Sequence, residues 1–308
     1  MNNVIATKVI ISRNLKDFKF TSKISEEEKQ LILKKVDEAL KGKMSLLNIN
    51  QLDVQVFKHL KGQDLILNSS QNLFVGKRES LAINMFSGEH VSIVSTCDGF
   101  NKIAVTNAVE LSQTLSDKIQ FAYNDEMGYL MSDLNNVGSG IKLESVIMLS
   151  AITKINKVEQ LKQNLSKLGY SLKETKYPAV YTLSTKCNLG ISEKKIFEDF
   201  ESTLSKLQEL EIESVKMLDA TNHDEMLDKV NRSVAILNSA NLLNYDELFN
   251  IIVNLRMGVN IGLINLSSEV INKLQNLISS KTNDMVAQSE LKELAQKAKA
   301  ILKGESNV

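Results

Sequence analysis

The chain has 308 residues, room for one large domain or two ordinary ones, and its 43% hydrophobic content is enough for a buried core and excludes general disorder. Lys+Arg and Asp+Glu both number 37, so the formal net charge is zero and no global field favours nucleic acid or an anionic membrane. One Pro excludes proline-rich linkers, and two distant cysteines, Cys97 and Cys187, exclude a disulfide scaffold or a Cys-rich zinc site.

Residues 4–12 (VIATKVIIS) are rich in β-branched side chains and predict a strand. Ser25 then opens a helix, with Glu28 three positions later completing a capping box. Ile32, Leu33, Val36 and Leu40 follow at helical spacing, and Gly42 suits the stop. Residues 52–57 (LDVQVF), 72–75, 80–86 (SLAINMF) and 91–96 (VSIVST) alternate or run apolar and predict strands of one sheet. A helix is predicted over 103–118, helical patterns over 144–154 and 158–168, and a strand over 178–184 (PAVYTLS).

From Ser192 the texture changes. Ile196, Phe200, Leu204 and Leu207 line one helix face, and further helices are predicted near 223–239, 245–258, 267–280 and 288–303. The expected fold class is therefore α+β, a mainly antiparallel sheet flanked by helices over 1–218, followed by a helical C-terminal domain over 219–308. Met1 to Phe20 has no continuous apolar stretch, and no apolar run is long enough to span a bilayer. A soluble, cytoplasmic protein with reduced thiols is expected.

Local motifs offer little chemistry by themselves. The glycine-rich segment 135–142 (NNVGSGIK) lacks the Gly-Lys-Ser/Thr order of a P-loop and reads as a structural turn ahead of a phosphate cradle. Ser87-Gly88-Glu89-His90 places a carboxylate beside an imidazole, suited to acid/base work or to a surface turn. His59 and His223 have no metal-ligand spacing, and no metal site is expected. Cys97 and Cys187 lie in strand-like apolar surroundings and read as buried small hydrophobes. Only four basic residues are Arg (Arg13, Arg78, Arg232 and Arg256), so a many-Arg phosphate clamp cannot be built.

Taken together, several blocks resemble the phosphagen (ATP:guanido) phosphotransferases, and within them the protein-arginine kinases of Gram-positive bacteria. Arg13-Asn14-Leu15-Lys16-Asp17-Phe18 is similar to the end of that family's "SSRxRLARNL" strand, and Glu79-Ser80-Leu81-Ala82-Ile83-Asn84-Met85 to its "ESxSIM" strand. Residues 121–130 (FAYNDEMGYL) resemble "FAFDEKLGYL", and Asn136-Val137-Gly138-Ser139-Gly140 resembles "NVGTG". Leu189-Gly190 leads into the same long helix, and Arg232-Ser233 and Leu255-Arg256-Met257-Gly258 resemble signatures of the helical domain.

The resemblance implies MgATP as cosubstrate and transfer of its terminal phosphoryl group to a guanidinium nitrogen. That chemistry needs cations on the phosphates and a carboxylate to take the guanidinium proton. By the resemblance, the nucleotide-phosphate positions fall on Lys8, Ile10, His90, Ser92, Lys142 and Lys173, where only lysines and one histidine remain. The family's catalytic acidic pair falls on Ser87 and Gly88, leaving Glu89 one position on, and its reactive Cys falls on Asp133. Glu89 and Asp133 are thus the candidate catalytic residues, and Lys8, His90, Lys142 and Lys173 the candidate nucleotide contacts.

The phosphoarginine-binding motif of the C-terminal helix falls on residues 293–298 (ELAQKA), where a Lys and the Ala survive. The expectation is a pseudokinase with weak or absent MgATP binding. Its partners by resemblance are an active kinase paralogue, a zinc-containing activator protein or the Clp stress-response machinery. An active, divergent protein-arginine kinase is the alternative. Leu291, Leu294, Ala298, Ile301 and Leu302 recur at helical spacing, for a homodimer through the C-terminal helices or for packing within the chain.

Overall fold

The computed structural model describes residues 3–76, 80–186, 189–279 and 288–305. The N-terminal half runs β1 (Val4–Arg13), α1 (Glu26–Leu40), β2 (Met44–Asn48), α2 (Val54–Gly62), β3 (Asn72–Gly76), β4 (Leu81–Ser87), β5 (Glu89–Asp98) and α3 (Lys102–Ser116). There follow two-residue strands β6 (Tyr123–Asn124) and β7 (Gly128–Tyr129), then β8 (Ile141–Met148), α4 (Ser150–Lys154), α5 (Val158–Lys167), β9 (Tyr170–Glu174) and β10 (Val180–Thr185). Four helices close the chain: α6 (Glu193–Ser239), α7 (Tyr245–Asn260), α8 (Ser268–Ser279) and α9 (Gln288–Glu305).

Eight strands form one antiparallel sheet in the order β2-β3-β4-β5-β1-β8-β10-β9. The β-branched β1 lies in the middle, paired with β5 on one side and β8 on the other. Its alternation sends Val9 and Ile11 into a core shared with Ile32 and Val36 of α1, Ala108 of α3, and Phe200 and Leu204 of α6. Full burial of each large apolar side chain there contributes about 1.5–3 kcal/mol. On the opposite face, Ile10, Ala82 and Val94 pack against Leu60 of α2 and Leu65 just beyond it. The predicted capping box of α1 is present, Ser25 and Glu28 each serving the other's backbone N–H.

Two predicted elements are corrected. Residues 52–57 are not a strand: Asp53 caps helix α2, its side chain accepting from the Gln55 N–H at 2.8 Å. The Leu-x-Val-x-Val alternation does not mark a buried face, since Val54 and Val56 are 64% and 44% exposed. Residues 144–154 are not one helix: 141–148 form β8, and only Ser150–Lys154 is helical. Ile141, Leu143, Ser145 and Ile147 alternate inward because β1 needs a partner on its second edge. The short edge strands β2 and β9 lack a pattern strong enough to predict.

The predicted helices at 192 onward and 223–239 are one element, α6, broken only at Asn222, whose backbone is non-helical (φ −140°, ψ 39°). The 218/219 division therefore falls inside α6. Beyond it a second core gathers Leu248, Ile252 and Leu255 of α7, Leu274 of α8, and Leu294 and Ala298 of α9. The apolar stripe of α9 is thus spent within the chain, with Leu294, Ala298 and Leu302 buried. α4 has no side-chain cap of its own; Glu211 of α6 supplies one, accepting from Ala151 N–H at 2.7 Å and Ile152 N–H at 3.1 Å. Burial pushes the Glu211 carboxyl up to about 6, against the pull of those amides.

Among the described residues, no helix is long and apolar enough to cross a membrane, and no group of three or more His, Cys, Asp or Glu could hold a metal ion. Cys97, at the end of β5, is half-buried, and burial raises its thiol pKa. Cys187 and Glu79 lie outside the described residues.

Candidate functional site

Directly opposed residues of an antiparallel pair share a face. Lys8 lies level with Thr96 of β5 and Glu144 of β8, Ile10 with Val94 and Lys142, and Ser12 with Ser92. Lys173 of β9 sits opposite Thr182 of β10, itself opposite Val146 of β8. The register therefore gathers Lys8, Ile10, Ser92, Lys142 and Lys173 onto the sheet face turned away from α1 and α3. A cleft of about 410 Å³ opens there, lined among others by Lys8, Asp64, Thr96, Glu144, Thr182 and, from α8, Asn276.

The lysines of this face carry internal counter-ions. Lys8 Nζ lies 2.6 Å from Asp64 Oδ2 and 3.1 Å from Glu144 Oε2. The other Glu144 oxygen, Oε1, lies 2.7 Å from Lys142 Nζ. Burial alone would lower the Lys8 pKa, but Asp64 and Glu144 outweigh it and hold it above the ordinary lysine value. Burial alone would raise the Glu144 pKa, but Lys8 and Lys142 together hold it below the ordinary carboxylate value. Lys173 is exposed on β9. Sequence reasoning missed Glu144 and Asp64. Lys142-x-Glu144 in a strand was a signal for one pair, whereas the opposition of Glu144 to Lys8 exists only in the sheet register.

Glu89 and His90 follow a tight β4–β5 turn in which Ser87 faces Glu89 across Gly88. Both side chains are buried, Glu89 at 5% and His90 at 0% exposure. The Glu89 carboxylate accepts from Asn14 Nδ2 at 2.6 Å, from Ser132 Oγ at 2.8 Å, and with both oxygens from Ser132 N–H at 2.9 Å. It also reaches the Asp133 N–H at 3.4 Å. His90 Nδ1 accepts from the Leu15 N–H at 3.0 Å, which fixes the proton on Nε2, where it is donated to the Lys19 carbonyl at 2.8 Å. Burial lowers the His90 pKa, favouring this neutral form. Both groups therefore pin the 14–19 and 132–133 segments to the sheet. Asp133 itself is exposed, in the loop that Glu89 anchors.

The glycine-rich loop closes around Arg13, which is 2% exposed. The Arg13 guanidinium donates through Nη1 to the carbonyls of Ser12 and Ser139, both at 2.8 Å, and through Nη2 to Glu193 of α6 at 2.9 Å. It also stacks 3.6 Å from the Tyr129 ring centre. This arginine joins β1, the loop and the start of α6.

The residues present do not fit the phosphates of a nucleotide. Lys8 and Lys142 are already paired with carboxylates, Ile10 and Ser92 are neutral, and Ser92 Oγ is 3.1 Å from Ser12 Oγ.

The chain is similar to known proteins along most of its length. The family profile "ATP:guanido phosphotransferase, C-terminal catalytic domain" matches residues 9–214, and "Protein-arginine kinase McsB C-terminal domain" matches residues 223–305. A protein-arginine kinase of Clostridium acetobutylicum is 27% identical over 97% of this chain and 93% of its own length. One of Bacillus subtilis is 24% identical over 89% of this chain and 81% of its own. Among solved structures, the substrate-free duplicated taurocyamine kinase from Schistosoma mansoni shares the fold with a TM-score of 0.63 at 16% identity, over 80% of this chain and 39% of that one. A lombricine kinase does so with a TM-score of 0.61 at 15% identity, over 71% and 68%. On the profile spanning its sheet and first helices, the chain belongs to the ATP:guanido phosphotransferase family, and it carries the C-terminal domain of that family's protein-arginine kinases.

Proposed function

We propose that this chain is a catalytically impaired protein-arginine kinase homologue, a pseudokinase that acts by binding. The observation that supports this reading is the employment of Glu89. A general base must have a lone pair within reach of the proton it takes. The Glu89 carboxylate is committed to Asn14, Ser132 and Asp133, and the shift to Glu89 leaves Gly88, with no side chain, one position earlier. Loss of a general base typically costs about 10²–10⁴-fold in rate. The lysines at three further positions, Lys8, Lys142 and Lys173, lack the bidentate fork that arginine offers a phosphate. These deficits bear on one transition state, so they are not summed.

The partners we propose are an active kinase paralogue, its zinc-containing activator protein or the Clp machinery. A homodimer through the C-terminal helices would have to use a surface other than the buried stripe of α9. The reading is tested by phosphoarginine detection in a mass spectrometer, on a model protein incubated with MgATP and either the wild-type chain or its Glu89→Gln variant. No product above the enzyme-free control is expected. Robust product from the wild-type chain would make this an active, divergent arginine kinase, and its loss in a Glu89→Gln protein that melts like wild type would make Glu89 the base.

A further inference from the structure

We propose that Glu144 is a built-in occupant of the cleft, its two oxygens standing between Lys8 and Lys142 where an anionic ligand would otherwise sit, so that the cleft excludes phosphate-bearing ligands until that charge is removed. The inference deepens the proposed loss of phosphoryl transfer by naming a residue that turns the polyphosphate away.

One carboxylate spans two ammonium groups, at 3.1 Å to Lys8 and 2.7 Å to Lys142, and Asp64 adds a second carboxylate 2.6 Å from Lys8. Glu144 and Lys8 are little exposed, with side chains at 19% and 16%. The Lys8–Glu144 pair at its centre is therefore screened less by salt than a surface pair, while Asp64 and Lys142 reach out to solvent. Among the described residues that line the cleft, Lys8 is the one cation, facing the carboxylates of Asp64, Asp98 and Glu144. A phosphate entering here would meet like charge at close range, which opposes its binding. The surroundings are otherwise suited to a small polar anion: Ser80, Thr96, Thr182 and Asn276 border the same space. Asn276 donates to Asp98 Oδ2 at 3.1 Å, so α8 is tied to this wall of the cleft.

The experiment is calorimetric titration of the full chain with pyrophosphate, using wild type, Glu144→Gln, Glu144→Ser and Glu144→Gln combined with Lys8→Ala. Expected is no measurable heat for wild type at millimolar ligand. Either neutral variant should gain affinity about tenfold or more, and the gain should disappear when Lys8 is also removed. Nζ-selective NMR of the wild-type lysines provides a reading free of mutation: millimolar phosphate should leave the Lys8 and Lys142 signals unmoved. Wild-type binding as tight as that of the variants would overturn the proposal. So would shifted wild-type lysine signals, or neutral variants that melt like wild type and gain nothing. Failure here is separable from failure of the pseudokinase reading: arginine phosphorylation by wild type sinks that reading, whereas an unchanged affinity in Glu144→Gln sinks only this one.

Discussion

Replacing Glu89 by alanine separates a structural carboxylate from a catalytic one. Three strong hydrogen bonds end on Glu89, from Asn14 Nδ2 at 2.6 Å, Ser132 Oγ at 2.8 Å and Ser132 N–H at 2.9 Å. Bonds to a charged acceptor are worth about 1.5–3 kcal/mol each, so roughly 5–9 kcal/mol of gross interaction is removed. Holding a carboxylate at 5% exposure costs several kcal/mol, which the substitution gives back. The net expectation for Glu89→Ala is a loss of about 2–4 kcal/mol. For a chain of 308 residues that lowers the melting temperature by roughly 3–6 °C. Glu89→Gln keeps the volume but turns an amide NH₂ towards donors, and should cost about 1–2 kcal/mol. The assays are thermal melting followed by circular dichroism, and amide hydrogen exchange at Ser132 and Asp133, which should lose protection in both variants. A Glu89→Ala protein that melts within about 1 °C of wild type with those amides still protected would refute the anchoring role.

The buried cap of α4 gives a pH prediction. Burial raises the Glu211 pKa from 4.5 to about 6, so the ionised form is disfavoured in the native state. The native state is favoured most below the unfolded pKa, and this contribution, about 2 kcal/mol, is lost as pH rises through 4.5 to 6. In urea melts, the stability difference between wild type and Glu211→Gln should therefore change by that amount between pH 4 and 7; a difference independent of pH would refute the assignment. At Gly140, whose φ is +62°, a Cβ would strike the Met131 side chain, the Ser12 carbonyl at 2.7 Å and Arg13 Nη1 at 2.8 Å. Gly140→Ala should cost about 3 kcal/mol or more, whereas Gly88→Ala, with no atom within 4 Å and only its positive φ to strain, should cost about 1–2 kcal/mol. Equal urea midpoints for the two variants would show that the loop relaxes around the new methyl group.

Elements whose signals are local can be read from the chain alone. Ser25 and Glu28 cap α1 as their spacing predicts, the β-branched run of β1 is a strand, and Ile196, Phe200, Leu204 and Leu207 are the buried stripe of α6. The family was legible for the same reason, since its motifs are short contiguous strings. Pairing is settled in three dimensions. A pattern of alternation does not say whether a face will be covered, so the Val54 and Val56 segment reads as a strand although Asp53 caps a helix there. The segment following Gly140 carries apolar residues that suit a helix or a strand, and the open edge of β1 makes it a strand. The candidate site was legible as a set of positions but not as chemistry. Glu89 lies 43 residues from Ser132, which donates to it, and Lys8 lies 56 residues before Asp64 and 136 before Glu144. Charges that far apart along the chain become partners only when antiparallel register and the end of α2 bring them within hydrogen-bond reach. The physical reason is that Coulomb attraction and desolvation depend on distance in space, which a linear sequence does not contain.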